Sequence, residues 1–484
     1  MTTEKSENPP QSGFLHWLDH RTGWRGMLRT ALDEPIPGGA RLAYIFGSGL
    51  LFLFISQVVT GVALAMYYVP SADHAHTTVA YITKLVTSGS LLRSIHAYGA
   101  SGIIVLLLLH ITQTFLYGSF KGRRELLWMS GCILLLLMLG MAFTGYLLPW
   151  DQKAYFATAI GTNIASEVPL IGGWLKRLIR GGDEMGTLTI SRFYVAHVFL
   201  LPALLFAFIG SHVFLFRKAG PAGPIDEDPI APKQPSEAFY PRQVVMDVGF
   251  TLLLIVGLWL FAHFHPIELG PQANPSDTQY LPRPEWYYRG AFQWLKYWEG
   301  PASIIGILVI PALLGGIFFF TPLFDRSRER RPWKRPIAVG AFAGILVGIV
   351  TLTTMSYHDD AVDLGVATKL MKQDEDNKQY MLEPFEPDSS AATLAAANVA
   401  LANPQAAKGK NIFEEQSCNA CHGDGGSGTA AAPKLIGLSG KYSSQQVEAL
   451  LKDPTPKMKA GGMPTPQLKP EEMDALVAYL ESLK

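Results

Sequence analysis

The chain has 484 residues, of which 49% are hydrophobic and only 17% charged, with 40 Lys and Arg balancing 40 Asp and Glu. A mean hydropathy of +0.18 points to a membrane protein, and zero net charge gives no sign of a nucleic acid or other polyanion as partner. Three cysteines exclude a disulfide framework beyond a single bridge.

The first dozen residues are polar and contain no signal-peptide core, so the first membrane helix is expected to direct insertion. Seven apolar runs of about twenty residues follow, near Leu42–Tyr68, Ile95–Tyr117, Leu126–Leu148, Tyr194–Phe216, Val244–Phe264, Ala302–Phe320 and Ile337–Met355. Cys132 lies alone in the third run and reads as a buried packing residue. After Met355 the composition turns to Asp, Glu, Ala and Pro, which reads as a linker over 358–404. Residues 405–484 read as a small all-α soluble domain, with amphipathic helices near Ser444–Lys452 and Pro470–Leu483. The expected organisation is a cytoplasmic segment (1–34), a four-helix unit (35–218), a three-helix unit (219–357), the linker and the soluble domain. The fold class is an all-α membrane protein with seven transmembrane helices.

Lys and Arg cluster in the N-terminus (Arg21, Arg25, Arg29, Arg41) and in the loops after the second, fourth and sixth helices, which carry Lys121, Arg123, Arg124, Arg217, Lys218, Lys233, Arg326, Arg328, Arg330, Arg331, Lys334 and Arg335. The positive-inside rule makes that side cytoplasmic. Seven helices then place the C-terminal domain outside.

His96 and His110 are 14 residues apart in the second run, and His197 and His212 are 15 apart in the fourth. Each pair spans about four turns, so its members share roughly one face and lie ~21 Å apart. Both helices run inward, which sets His96 level with His197 and His110 level with His212. One buried histidine alone can be a packing residue bonded to a neighbouring helix. Two matched cross-helix pairs at two depths fit bis-histidine haem ligation twice over. Gly47 and Gly61, and Gly131 and Gly145, repeat at 14 residues and offer spots where a helix can approach a flat macrocycle. Arg93, one turn before His96, suits a haem propionate.

Near the C-terminus, Cys418-Asn-Ala-Cys421-His422 is the c-type haem attachment motif, with His422 as proximal ligand. A zinc half-site would need further Cys or His that this domain lacks. Met458 and Met463 both qualify as sixth ligand, and the Gly-Gly-Met463-Pro setting favours Met463. Such haem is attached outside the cytoplasm, in agreement with the charge-derived orientation.

The segments Gln57-Val-Val-Thr-Gly61, Arg93-Ser-Ile-His96-Ala-Tyr-Gly-Ala-Ser101, Thr144-Gly-Tyr-Leu-Leu-Pro-Trp-Asp151, Thr189-Ile-Ser-Arg-Phe-Tyr-Val-Ala-His197 and Pro284-Glu-Trp-Tyr287 carry a resemblance. The region from about Pro35 to Met355 resembles the cytochrome b of quinol-oxidising cytochrome bc complexes. Its details are closest to the chloroplast-type branch: the 15-residue histidine spacing, Trp150-Asp151 after the proline, and three further helices as if that branch's separate small subunit were fused on. That branch attaches an extra haem through an early cysteine. Ile45 stands here instead, so no extra haem is expected.

The resemblance implies a di-haem four-helix bundle with two non-covalent b haems, to which the Cys418–His422 motif adds one covalent c haem. It implies an outer quinol-oxidising site with Glu285 as proton acceptor and Tyr287 beside it, and an inner quinone-reducing site with Asp247 and Arg217. It further implies a proton-translocating Q cycle, a homodimer, and a cytochrome c or terminal oxidase as acceptor. The location implied is the bacterial cytoplasmic membrane. A Rieske cluster needs two Cys and two His, and no spare cysteine pair exists, so the iron–sulfur protein is expected to be another chain. Two other classes compete: a membrane anchor wiring an outside dehydrogenase to quinone, and a seven-helix transporter with structural histidines.

Overall fold

An apolar run in a membrane must satisfy every backbone N–H and C=O within itself, so it folds as a helix. The computed structural model describes residues 13–226, 235–387, 404–429, 432–460, 462–466 and 468–483. Residues 1–12, Lys233 and 388–403 of the expected linker lie outside the described residues. The chain divides into two units, Met1–Glu383 and Pro384–Lys484.

In the first unit, α1 (Phe14–Thr22) and α2 (Trp24–Leu32) precede the membrane helix α3 (Ile45–Ala65). Then come α4 (Ala75–Lys84), α5 (Gly89–Leu116), α6 (Glu125–Tyr146), α7 (Gln152–Ser166), α8 (Gly172–Arg180) and the long α9 (Thr187–Ala219). The remainder comprises α10 (Arg242–Phe264), α11 (Arg289–Leu295), α12 (Ile305–Phe319), α13 (Pro336–Val362) and α14 (Leu364–Leu382). One short antiparallel pair, β1 (Pro35–Pro37) with β2 (Ser236–Ala238), ties the segment before α3 to that before α10.

Among the described residues, six helices (α3, α5, α6, α9, α10 and α13) are long and apolar enough to cross a membrane, which makes the chain a multi-pass membrane protein. The seventh expected span, Ala302–Phe320, is helical as α12 but shorter, at 15 residues. Its first turns, Ile305–Val309, are π-helical, and Pro311 follows. The same wide turn occurs at Ala196–Leu200 in α9, ahead of Pro202. A proline has no N–H for the carbonyl four residues back, and a widened turn relieves the mismatch.

The expected linker is ordered in its first part. Residues 358–362 complete α13, and α14 runs back over the loop that follows α10. There Gln373 bonds both backbone groups of Leu281 (3.1 and 3.2 Å), and Met381 Sδ accepts from Leu269 N at 3.3 Å. Lys84 Nζ donates to the carbonyls of Tyr380 (2.6 Å) and Glu383 (2.8 Å). The polar composition that suggested a linker is that of a helix lying on a polar loop surface.

Several loop cations counted toward orientation are buried fasteners. Arg330 is 1% exposed and donates to the carbonyls of Ala222, Gly223, Pro224 and Tyr117. Lys121 and Arg335 share Asp325 at 2.5 and 2.8 Å. Charges held this way are stable because each is hydrogen-bonded. Cys132 is buried and free beside Trp128 and Phe115, as its setting suggested.

In the second unit, α15 (Pro404–Glu415) packs on the closing helix α19 (Pro470–Ser482), between short helices α16 (Cys418–His422), α17 (Ser444–Lys452) and α18 (Pro456–Ala460). A Cβ on Gly409 would lie 1.9 Å from Ala475 O, so only glycine permits this crossing. Phe413, Val447, Leu451, Leu476 and Tyr479 form the core. A capping box between Ser443 and Gln446 starts α17 where the amphipathic pattern begins.

Candidate functional site

Helix α3 packs along α5, and α6 packs along α9. In each pair a glycine of one helix faces an imidazole of the other. An added Cβ would lie 3.1 Å from His96 Cε1 at Gly61, 3.9 Å from His110 at Gly47, 2.4 Å from His197 at Gly145 and 3.3 Å from His212 at Gly131. The glycine repeat therefore makes room for the histidine rings themselves. The 14-residue repeat in α3 matches the 14-residue histidine spacing in α5. In α9 the spacing is 15, and the π turn beside His197 absorbs about one residue of rotation, returning both rings to one face.

The residue before each glycine adds a second feature. Thr60 Oγ1 sits 2.9 Å from His96 Nδ1, Ser130 Oγ 2.8 Å from His212 Nδ1, and Thr144 Oγ1 3.3 Å from His197 Nδ1. These hydroxyls donate their own protons to Ser56 O (2.7 Å), Leu127 O (2.8 Å) and Gly140 O (2.9 Å) within their helices. Each therefore accepts from its histidine, which places the ring proton on Nδ1 and leaves the Nε2 lone pair free. Met141 O, 3.0 Å from His197 Nδ1, adds a second acceptor there. The fourth position is Phe46-Gly47, and His110 Nδ1 is buried without a hydrogen-bond partner among the described residues. Sequence reasoning missed these hydroxyls, although the dipeptides Thr60-Gly61, Ser130-Gly131 and Thr144-Gly145 were there to be read.

His96 and His197 face each other across the bundle with ring centroids 6.2 Å apart and planes at 76°. Two metal–nitrogen bonds of about 2 Å plus the half-width of each ring fill that gap. His110 lies within electrostatic reach of His212. Two opposed neutral imidazoles, held through Nδ1 and cradled by glycine, fit a bis-histidine haem. Arg93 is buried, donates from Nη2 to Ile267 O, and keeps a buried Nε without a partner among the described residues.

Glu285 opens the short helical turn Trp286–Tyr288. The resemblance implied a proton acceptor at this position. In the structure Glu285 pairs with Lys153 Nζ at 2.8 Å and is about one-third exposed. Lys153 follows Trp150-Asp151, whose Asp151 caps α7 by accepting from Ala154 N. Tyr287 packs between Trp286 and Tyr288. Burial, then the nearby Glu285 carboxylate, pushes its phenol well above the usual range. Asp247 and Arg217 have separate partners: Gln243 Nε2 donates to Asp247 at 2.9 Å, while Arg217 pairs with Glu34 at 3.4 Å.

In the C-terminal unit the Cys418–His422 helix presents both thiols on one turn. His422 Nδ1 lies 2.9 Å from Pro433 O, which again leaves Nε2 free. Met463 packs against the domain core together with Cys418, and its N–H donates to Met458 O at 3.0 Å. The paired thiols and the unengaged His422 Nε2 fit a covalently held haem.

Three family models match: cytochrome b/b6/petB over residues 31–220, cytochrome b (C-terminal)/b6/petD over 272–369, and cytochrome c over 406–484. The cytochrome bc complex cytochrome b subunit of Chlorobaculum thiosulfatiphilum is 36% identical over 310 residues, covering 63% of this chain and 70% of that protein. The menaquinol:cytochrome c reductase cytochrome b subunit of Bacillus subtilis (strain 168) is 41% identical over 217 residues, covering 43% of this chain and 97% of its own length. Cytochrome b/c1 of Bradyrhizobium diazoefficiens is 33% identical over 69% of this chain and 49% of that protein. A solved hyperthermophilic respiratory Complex III chain matches with a TM-score of 0.64 and 26% identity, covering 71% of this chain and 91% of that one.

Proposed function

The chain belongs to the cytochrome b family of bc-type complexes and carries a cytochrome c domain at its C-terminus, and on that premise we propose that it is the redox subunit of a quinol:cytochrome c oxidoreductase working by a proton-translocating Q cycle. His96 with His197 would hold one b haem, and His110 with His212 the other. Arg93 Nε is free for a propionate of the haem beside His96. Cys418 and Cys421 would hold the c haem covalently, with His422 and Met463 as axial ligands. When bound, the two b haems supply a one-electron path between the membrane faces and the c haem a high-potential exit.

The chain's own residues handle the quinol and its protons. The Glu285 carboxylate accepts a proton from quinol at the outer face, and the Lys153 ammonium fixes where that carboxylate stands. Tyr287, held protonated, supplies a donor and an aromatic wall beside it. Asp247 and Arg217 serve the quinone-reducing site on the inner face through their separate partners. The iron–sulfur protein is a separate Rieske chain, and a cytochrome c or terminal oxidase takes the outgoing electron. The N-terminus is cytoplasmic, the c domain extracytoplasmic, the membrane the bacterial cytoplasmic one, and the working unit a homodimer.

The observation that carries this reading is the opposed His96–His197 pair with both Nδ1 atoms already engaged. A quinol-oxidation assay on the assembled complex, with and without its iron–sulfur partner, tests it: activity that survives without that partner would instead favour an anchor for an outside dehydrogenase.

A further inference from the structure

Glu285 lies between two arginines, Arg283 and Arg289, and both reach the same carboxylate. Asp360, in the last turn of α13, is 8% exposed. Arg283 Nη2 donates to Asp360 Oδ1 at 2.7 Å, and its Nε lies 2.9 Å from Oδ2 and 3.0 Å from Oδ1. Arg289, also buried, donates from Nη1 to Asp360 Oδ2 and to Ser356 Oγ, the latter at 3.3 Å. Its guanidinium sits 4.4 Å from the Tyr357 ring centre. Arg283 faces the Phe292 ring at 5.4 Å.

We propose that Asp360 is a positioning residue for the quinol-oxidising site: one carboxylate on the last membrane helix fixes both ends of Pro284–Tyr288 and so sets where Glu285 meets quinol. This rests on the reading of Glu285 given above. Pro284 already locks one backbone angle, so anchoring the residue before it and the residue starting α11 leaves the motif little freedom. Close packing of α11 on α13 supports the same placement. A Cβ on Gly290 would stand 3.0 Å from Thr353 Oγ1 and 3.2 Å from Ile349 O. Without the carboxylate, the half-buried Arg283 and the buried Arg289 lose the one anion they share and are left with neutral acceptors, Pro282 O and Ser356 Oγ, so the two guanidiniums repel and part. Misplacing a proton acceptor by about 1 Å costs up to about a hundred-fold in rate.

The test uses membranes carrying the assembled complex with Asp360→Asn, Arg283→Gln, both together, and Asp360→Glu. The expected result for Asp360→Asn is a ten- to hundred-fold fall in outer-face quinol oxidation, with KM raised and kcat lowered. Haem b and c content, and reduction of the b haems by quinol from the inner face, stay at the wild-type level. The double variant is no worse than Asp360→Asn, and Asp360→Glu recovers part of the loss. Full outer-face activity in Asp360→Asn overturns the proposal, as does a fall shared equally by both faces. Should Asp360→Asn not assemble, Arg283→Gln decides, because Arg289 keeps its acceptor: the same one-sided fall supports the role, and unchanged oxidation overturns it. A wild-type complex that oxidises no quinol overturns the reading of the site itself, and this role with it.

Discussion

Gly145 and His197 stand closer than any side chain at position 145 would permit: a Cβ there would lie 2.4 Å from the imidazole Cε1. At Gly47 the same construction leaves 3.9 Å to His110, an ordinary contact. The four glycines are therefore unequal in what they tolerate. Gly145→Ala is expected to displace the His197 ring and remove one b haem, while Gly47→Ala keeps both. Pyridine haemochrome spectra of the two purified variants check this, and equal haem content in both would count against glycine as the ring's cradle.

The hydroxyl beside His96 makes a second, finer prediction. A hydrogen bond from Nδ1–H strengthens the imidazole as a ligand and favours ferric iron. Thr60→Val removes that acceptor at a cost of about 1 kcal/mol and should raise the midpoint potential of one b haem. Phe46→Ser offers His110 the acceptor it lacks and should lower the other. Potentiometric titration reads both shifts, and movement in the opposite directions refutes the tautomer assignment.

Lys153 holds the Glu285 carboxylate across a partly exposed ion pair. Such a pair contributes up to about 1 kcal/mol, so Lys153→Met should slow quinol oxidation about five-fold, with haem content unchanged. Steady-state rates on assembled complexes measure it; a faster variant would mean that the pair restrains the acid instead of presenting it.

For the c domain, Met463→Leu should abolish the methionine–iron charge-transfer band, whereas Met458→Leu should keep it. Optical spectra of the oxidised protein decide between them, and the reverse pattern would make Met458 the ligand.

The sequence disclosed what depends on composition and short spacing. Six apolar runs became full-length helices, the amphipathic stretches at 444 and 470 became α17 and α19, and the fused cytochrome c motif lies on one helical turn. The histidine pairs were legible because helix periodicity is local. What escaped was whatever depends on a distant partner. Lys153 meets Glu285 across 132 residues, and Asp360 meets Arg283 across 77. No pattern in either segment announces the other. The π turns in α12 and α9 trace to prolines whose local effect a run of apolar residues conceals. The helix α14 was hidden because its partner is a polar loop, so it lacks the apolar stripe that marks a core helix.

The central claim is that the four histidines hold two b haems while Cys418, Cys421 and His422 hold one c haem. Haem stoichiometry of the purified chain by pyridine haemochrome spectra tests it most directly. Two b haems to one c haem is the predicted result. One b haem or none would contradict the paired-helix assignment and leave the membrane unit to be read as an anchor or transporter bearing a cytochrome c.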